Sequence, residues 1–385
     1  MSQLLSLIRN RNIQLFLSYF FLRNLFQLGT TLFAFYVLSI LVLTPEQWGY
    51  IIFIGYISST ITSFAGGSVA DRIGRKKTYL LGVPLIGLGW LSLVFFKNWV
   101  QVAVAYGTIN GAIAGVYPAY TGLISQTVGK ERLGGGLGLL NTAWSASSVL
   151  GAFLAGVVAE YSGFPTLYML LCAFCFLGII PLSRIREEKS EICSEHGWQE
   201  KTGLLNILRS KSLVCLCFAV FLVSLGGYIS MFYPDYVQTN FPVTSIHMGV
   251  FDSIYAMIWT ISNYPAGWLS DAIGRKKVIV IGFLLMGFAW AVFPIPQNLI
   301  WLYLLYGLYS IGNSMGYFTT ALAMDIVPKE KQSTAVGIFN GTMFFAVSIS
   351  GMVGGMLWTK LGVVSFLLPL LVCSVASTII SLFVK

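Results

Sequence analysis

Twelve apolar runs dominate this sequence, and each is close to the roughly 20 residues that a helix needs to cross a bilayer. Backbone polar groups inside a membrane must be hydrogen-bonded within the protein, so runs of this kind are stable there as helices. We therefore predict an all-α membrane protein with twelve transmembrane helices, α1 to α12. The predicted ranges are 12–42, 47–68, 78–96, 100–126, 138–159, 165–183, 213–237, 247–269, 278–296, 298–324, 335–359 and 363–384.

The low content of charged residues excludes a water-soluble enzyme. Asp, Glu, Lys and Arg make up 10% of the chain, whereas soluble domains contain roughly 25%. The net charge of +9 would favour nucleic-acid binding if the basic residues formed a stripe on a polar face, but they lie in short loops between the apolar runs. We expect a lipid bilayer and a small-molecule substrate as partners, no nucleic acid, and a monomer.

The distribution of Lys and Arg predicts the orientation. If the N-terminus is cytoplasmic, all of the 23 Lys and Arg residues except Arg23, Lys97 and Lys360 fall in cytoplasmic segments. Such a bias is the positive-inside pattern of multi-pass membrane proteins, and an even number of helices returns the C-terminus to the same side. We predict a protein of the inner or plasma membrane with both termini in the cytoplasm.

The two halves of the chain repeat each other when one is displaced by 200 residues. Because six helices separate the copies, both have the same orientation and are related by a pseudo-twofold axis along the membrane normal. We predict a six-helix bundle at 1–183, a cytoplasmic linker at 184–212 and a second six-helix bundle at 213–385. The superimposed pairs include Asp71 and Asp271, Trp90 and Trp290, and Tyr106 and Tyr306.

The sharpest motif occurs twice, in equivalent loops. It reads Gly67-x-x-x-Asp71-Arg72-x-Gly74-Arg75-Lys76-Lys77 between α2 and α3, and Gly267-x-x-x-Asp271-Ala272-x-Gly274-Arg275-Lys276-Lys277 between α8 and α9. Together with the plan of six helices, a linker and six helices, the motif resembles the signature of the major facilitator superfamily. The resemblance implies the fold of that family and a secondary transporter of the drug or metabolite exporter type, which works by alternating access.

The resemblance also implies a cytoplasmic latch in which Asp71 pairs with Arg75 and with α11 when the cavity opens outward. A carboxylate at the C-terminal end of α2 faces the negative end of the helix dipole and needs a positive partner, and glycines let the loop turn tightly. A basic loop that only sets topology would explain Lys76, but not the paired Asp and Gly positions. With Asp325 at the end of α10, the predicted gating residues are Gly67, Asp71, Arg72, Gly74, Arg75, Lys76, Asp271, Gly274, Arg275, Lys276 and Asp325.

Arg23 is the most informative single residue, because it lies about 11 residues into α1, roughly 16 Å along the helix. A cation near mid-bilayer costs about 2.5 to 3.5 kcal/mol on insertion scales, so it must face water, a partner or a ligand. Asn24 and Gln27 extend it into a polar patch. Two interpretations stay open: Arg23 lines a transport cavity for an anionic or amphiphilic substrate, or it forms a structural ion pair.

One face of α8 carries Asp252, Tyr255, Trp259 and Asn263 at spacings of three and four residues. Asp252 precedes Asp271 by 19 residues, roughly 28 Å along a helix, which places it in the outer part of the membrane. It either binds a proton or substrate near the outer mouth or caps the start of its helix.

Several amide and aromatic side chains complete the predicted site. An amide side chain inside the membrane needs a hydrogen-bond partner. Each of these amides therefore either faces the lumen or forms a hydrogen bond to a neighbouring helix. The aromatic side chains form the cavity walls or belong to the core and the interfacial belts. The predicted substrate-binding residues are Arg23, Asn24, Gln27, Asn110, Tyr117, Tyr120, Asn141, Trp144, Tyr228, Asp252, Tyr255, Trp259, Asn263, Asn313, Tyr317 and Asn340.

The coupling ion is left open by the sequence. Gly107 stands where many proton-coupled exporters have Arg in α4, and Ala152 where antiporters have Pro in α5. Coupling of transport to protons would require protonation of Asp252, Asp325 or another group. Efflux of amphiphilic compounds is the favoured function. The alternatives are a symporter or uniporter for a sugar or organic anion, and a non-transporting sensor on the same scaffold.

No catalytic site, metal site or cofactor is predicted. The two histidines, His196 and His247, lie in a loop and near a helix start, and no Ser-His-Asp or H-E-x-x-H arrangement can be assembled from them. Cys172 and Cys175 have the C-x-x-C spacing, but they lie inside an apolar run without polar neighbours and are expected to be core residues. We do not expect an enzyme.

Overall fold

The computed structural model describes residues 10–128, 133–186, 210–327 and 332–384, and within these ranges the chain is helical without a strand. The twelve predicted helices are all present, in the predicted order. Their bounds are Arg11–Asn24 and Thr30–Phe35 for α1, Pro45–Ile73 for α2, Arg75–Ser92 for α3, Trp99–Val128 for α4, Leu133–Ser183 for α5 and α6 together, Lys211–Gly226 and Ile229–Asn240 for α7, Ser245–Ile273 for α8, Arg275–Val292 for α9, Leu299–Gly316 and Thr319–Asp325 for α10, Gln332–Leu361 for α11 and Leu368–Phe383 for α12. α5 ends and α6 begins at Gly163, where the backbone is not helical (φ 80°, ψ 161°).

Hydropathy alone identifies only part of this plan. Among the described residues, four stretches are long and apolar enough to cross a membrane by composition: Trp99–Ile124, Thr142–Ser183, Lys211–Asn240 and Gly337–Phe383. Other helices fail such a criterion for visible reasons. For example, α3 and α9 each begin with Arg-Lys-Lys, and α1 is divided into two pieces.

Three helices that the apolar pattern predicts as continuous are interrupted. The first part of α1 ends at Asn24, and the second begins at Thr30 after an extended Gly29; it continues in π-helical geometry over Tyr36–Ile40. α7 is interrupted near Gly227, and α10 near Tyr317. The interruption of α1 directly follows Arg23 and Asn24, the first two residues of the polar patch.

Contacts divide the chain into two compact units. The first contains the described residues of Met1–Leu43, Tyr50–Cys193 and Val243–Ser253, and the second contains those of Thr44–Gly49, Ser194–Pro242 and Ile254–Lys385. The start of α2 thus belongs to the second unit and the start of α8 to the first. The predicted boundaries 1–183 and 213–385 remain a prediction, and most of the proposed linker at 184–212 lies outside the described residues.

Each unit has its own aromatic core, and the two cores are built from equivalent positions. In the first unit the ring of Phe33 lies 6.3 Å from Trp90 and 5.1 Å from Tyr106. In the second unit Tyr233 lies 5.4 Å from Trp290 and 4.8 Å from Tyr306. Each set is displaced from the other by 200 residues. The sequence repeat is therefore also a repeat of packing, in which α3 pairs with α4 as α9 pairs with α10.

Candidate functional site

The first unit contains a cavity of about 370 Å³ beside the interruption in α1, a size typical of sites for small organic ligands. Six of the predicted substrate-binding residues line it: Arg23, Asn24, Gln27, Tyr117, Tyr120 and Trp144. The remaining wall is mostly apolar or aromatic and consists of Phe20, Leu28, Tyr79, Trp90, Ile113, Val116, Leu171 and Cys175.

Close packing by α5 fixes the polar patch of α1 at the cavity. A Cβ atom added at Gly151 would overlap the backbone carbonyl oxygen of Asn24, so a residue with a side chain does not fit there. Four residues earlier on α5, the Ser147 hydroxyl accepts a hydrogen bond of 3.2 Å from the buried Asn24 amide. The α1 backbone is therefore held where its regular hydrogen bonding stops.

Arg23 carries the one charged side chain among the described residues of the cavity wall. Within the part of the chain that the structure describes, no carboxylate lies within salt-bridge distance of its guanidinium. Its electrostatic neighbours are the hydroxyls of Tyr19 and Tyr79 and the thiol of Cys175. The rings of Tyr19 and Tyr79 are 5.4 Å apart. Of the two interpretations of Arg23, the geometry favours the cavity over a structural ion pair.

One predicted residue of the first unit, Asn110, has its hydrogen bond elsewhere, and another, Asn141, stays a prediction. The Asn110 amide donates a hydrogen bond of 2.9 Å to the Tyr106 carbonyl on its own helix, and Asn110 is absent from the described lining. The side chain of Asn141 lies outside the described side chains, so its predicted role stays a prediction.

In the second unit, α8 and α10 bring four predicted residues together. The Asn313 amide donates hydrogen bonds to the hydroxyls of Tyr255 and Tyr309, at 3.0 and 3.3 Å. The rings of Trp259 and Tyr317 meet edge to face at 6.1 Å. These contacts form a polar and aromatic surface on α8, in agreement with the predicted face of that helix.

Three further predicted residues of the second unit are buried or half-buried, and two of them donate hydrogen bonds to backbone carbonyls. Tyr228 is buried, donates a hydrogen bond of 3.1 Å to the Ser365 carbonyl and packs against Gly354. The Asn263 amide donates to the Trp259 carbonyl one turn earlier, at 2.7 Å. Asn340 lies half-buried on α11.

Asp252 occupies a position that the sequence did not indicate. Although it lies on α8, its carboxylate accepts hydrogen bonds from the backbone amides of Thr31 and Leu32, at 3.3 and 3.1 Å. These amides open the second part of α1. The start of α8 is capped instead by Glu160, whose carboxylate accepts a 2.9 Å hydrogen bond from the Ser245 amide. The alternative in which Asp252 caps its own helix is therefore wrong.

Glu160 was missed by the sequence analysis. The available signal was an exposed carboxylate near the end of α5, which can accept a hydrogen bond from the amides that open a neighbouring helix. Its donor lies 85 residues later in the chain, so no local pattern connects the two residues.

The repeated motif forms two tight turns of the same geometry. Gly74 has φ 96° and ψ 146°, and Gly274 has φ 95° and ψ 141°. This region of backbone conformation is open almost only to glycine. Each glycine joins two helices directly, since α2 ends at Ile73 and α3 begins at Arg75, and the second copy has the same boundaries 200 residues later.

The arginine after each glycine contacts the C-terminal part of a neighbouring helix. Arg75 donates a 3.0 Å hydrogen bond to the Gly122 carbonyl on α4. Arg275 donates a 3.2 Å hydrogen bond to the Ala321 carbonyl on α10 and also forms an ion pair with Asp325. A cation is favourable there because it meets the negative end of the helix dipole.

The other predicted gating residues have varied surroundings. Lys276 donates 2.7 Å hydrogen bonds to the carbonyls of Ser381 and Val384 at the end of α12. Arg72 and Asp271 are exposed, and Gly67 has open space where a Cβ atom would be. The side chain of Asp71 lies outside the described side chains. The latch that the resemblance implies for Asp71 therefore stays a prediction.

Comparison with known proteins identifies the family. The family model described as Major Facilitator Superfamily matches residues 15–241 and 214–385. An uncharacterized MFS-type transporter, MJ1317 of Methanocaldococcus jannaschii, is 27% identical over 307 residues, or 76% of this chain and 74% of that protein. The multi-drug resistance efflux pump PmrA of Streptococcus pneumoniae is 28% identical over 242 residues, covering 60% of this chain and 59% of its own length.

Solved structures show the same fold at low sequence identity. A D-xylose-proton symporter has a TM-score of 0.81 at 14% identity, with 97% of this chain and 98% of that chain covered. The nucleoside transporter NupG has a TM-score of 0.79 at 14% identity with the same coverage. Because the family model matches nearly the whole chain and the fold agrees, this chain is a multi-pass membrane protein of the major facilitator superfamily of transporters.

Proposed function

We propose that this chain is a secondary transporter that exports small amphiphilic organic compounds across the inner or plasma membrane by alternating access. The observation that carries the proposal is the 370 Å³ cavity, which has aromatic walls and a cluster of three polar residues on an interrupted helix. Such a site holds a ligand mainly by apolar contact and orients it with few polar groups.

The names of relatives support export over uptake. PmrA of Streptococcus pneumoniae is described as a multi-drug resistance efflux pump, and MdtG of Rahnella, 24% identical over 241 residues, as a multidrug resistance protein. The symporters for xylose and the nucleoside transporters share only the fold. A sugar or organic-anion symporter is therefore the second candidate, and a sensor without transport the third.

Alternating access requires contacts that differ between two states of the protein. We propose that the Asp252 contact with Thr31 is one of them, because it holds the second part of α1 against the start of α8. The Arg275 ion pair with Asp325 and the two glycine turns belong to the cytoplasmic gate in this proposal. Both termini lie in the cytoplasm, and the transporter works as a monomer.

Flux into reconstituted liposomes tests the proposal. Purified protein is reconstituted in both orientations, and cationic, neutral and anionic amphiphiles are supplied with and without an imposed pH gradient. A transporter gives saturable flux that protein-free liposomes lack, and a proton-coupled exporter responds to the gradient. Binding of a panel compound with no protein-dependent flux would instead support the sensor. Flux of sugars in the absence of amphiphile flux would support the second candidate.

A further inference from the structure

The cavity of the first unit is electrostatically unbalanced, and two of its lining residues carry buried polar atoms without a hydrogen-bond partner among the described residues. The Arg23 guanidinium lies in the wall without a carboxylate within salt-bridge distance among the described residues. The guanidinium of arginine remains charged at all physiological pH values. Tyr19 and Tyr79, its hydroxyl neighbours, are dipoles without net charge, so they solvate the cation but do not neutralise it.

A second observation points to a ligand. Tyr120 lines the same cavity and is only 5% exposed, yet its hydroxyl has no hydrogen-bond partner in the part of the chain that the structure describes. The buried amide oxygen of Gln27, also in the wall, has none either. Buried polar groups normally have partners. Both residues line the same cavity as Arg23 and carry hydrogen-bonding capacity that no described group of the protein uses.

We infer that the substrates of this cavity are organic anions, each with an aromatic or apolar body and one carboxylate, sulfonate or similar head group bound by Arg23 and Tyr120. This inference rests on the proposed function and narrows it to one substrate class. The guanidinium matches the planar geometry of a carboxylate, and the Tyr120 hydroxyl donates to a second lone pair of the same head group. The rings of Tyr117 and Tyr120, with centroids 6.0 Å apart, contact the apolar body.

The physical argument separates anions from other ligands of the same shape. A neutral aromatic ligand would strip water from Arg23 without replacing its hydrogen bonds, which is costly for a charged group. A cationic ligand would in addition be repelled by Arg23 at short range, in a medium less polarisable than water. An anion avoids both costs and satisfies Tyr120 as well.

Three probes with one ring system test the inference by binding alone, so that the result does not depend on transport. These are 2-naphthoate, 2-naphthamide and 2-naphthylmethylammonium, each titrated by calorimetry into purified protein in phosphatidylcholine nanodiscs, with empty nanodiscs subtracted. The parent protein should bind naphthoate about tenfold or more tightly than either other probe, because a charge-assisted hydrogen bond replaces a neutral one. Equal affinities, or no saturable naphthoate binding, would overturn the inference.

Substitutions test which side chain causes the preference for naphthoate over the other two probes. Arg23→Gln should bring the affinities for naphthoate and naphthamide to within about twofold of each other, while Arg23→Lys keeps a preference because the charge remains. Tyr120→Phe removes only the unpartnered hydroxyl and should weaken naphthoate binding severalfold. Lys97→Gln removes an exposed cation outside the cavity wall and should change nothing. An anion preference that survives in Arg23→Gln would assign the site to another cation. Failed transport with intact anion selectivity would overturn the proposed function and leave this inference standing.

Discussion

The carboxylate of Asp252 accepts a 3.3 Å hydrogen bond from the backbone amide of Thr31, 221 residues away in the sequence. With the 3.1 Å bond from Leu32, it satisfies two amides at the start of the second part of α1. Helix starts leave such amides without partners inside the helix and attract negative charge. One side chain of α8 therefore stabilises the interruption in α1.

Removal of this cap should loosen the second part of α1. Asp252→Ala leaves two amides without their acceptor, and we expect a loss of about 1 to 3 kcal/mol of local stability. Hydrogen–deuterium exchange of the peptide that contains Thr31 and Leu32 should accelerate by roughly tenfold or more, since each 1.4 kcal/mol is a factor of ten. Asp235→Ala, which breaks a 2.8 Å hydrogen bond from Trp358 in the second unit, is the matched control. Unchanged exchange in Asp252→Ala would contradict the capping role.

Gly29 should not tolerate a side chain. An added Cβ atom would overlap the Asp252 carboxylate, so Gly29→Ala displaces the cap that the previous variant deletes. We expect Gly29→Ala to lower the melting temperature and the transport rate to a similar degree as Asp252→Ala, and the double variant to add little, because residues in contact are not additive. Gly337→Ala, at a helical position with open space around it, should leave both unchanged. Fully additive losses would show that the two residues act separately.

The repeated glycine turns give a prediction with a control inside the same motif. Gly74→Ala forces a Cβ atom onto a backbone with φ 96°, and we expect a loss of about 1 to 3 kcal/mol of stability. Gly67→Ala has open space at a helical position and should be neutral or slightly stabilising. Thermal unfolding of both variants in the same detergent measures the difference. Equal melting temperatures would be inconsistent with the left-handed turn.

The ion pair of Arg275 and Asp325 should contribute little to stability. Their side chains are 37% and 51% exposed, and exposed ion pairs typically contribute about 0.2 to 1 kcal/mol. A double-mutant cycle with Arg275→Ala and Asp325→Ala should give a coupling energy in that range. A role in gating would appear in the transport rate of Asp325→Ala and not in its folded yield. A coupling energy of about 3 kcal/mol or more would indicate a buried pair.

Much of the fold follows from the sequence, since apolar length, loop charge and the displacement of 200 residues are local or directly countable patterns. The pairing of Trp90 with the aromatic core of one unit and Trp290 with the other follows from the same repeat. The interruption of α1 does not follow, because Arg23, Asn24 and Gln27 predict a polar patch on that helix and not a break in it. What divides that helix is the close approach of Gly151 and the carboxylate of Asp252, two residues far away in the sequence.

The sequence predicts those residues of the candidate site whose charged or polar side chains are costly to place in a membrane. Arg23 was identified because a cation inside an apolar run needs a polar environment, and the structure places it in a cavity wall. The role of Asp252 was not predictable, because its depth in the membrane fits a proton site and a cap equally. Asn110 and Tyr228 show the limit of residue type as evidence, since the Asn110 amide donates to a carbonyl of its own helix and the Tyr228 hydroxyl donates to the Ser365 carbonyl.

Counterflow tests the central claim most directly, because it needs a working substrate site and alternating access but no coupling ion. Liposomes loaded with unlabelled substrate and exposed to a trace of labelled substrate should accumulate the label through the parent protein and through Lys97→Gln. Arg23→Gln should lose most of this accumulation while retaining its folded yield. Counterflow in Arg23→Gln equal to that of the parent would contradict the claim that substrate binds at the α1 cavity.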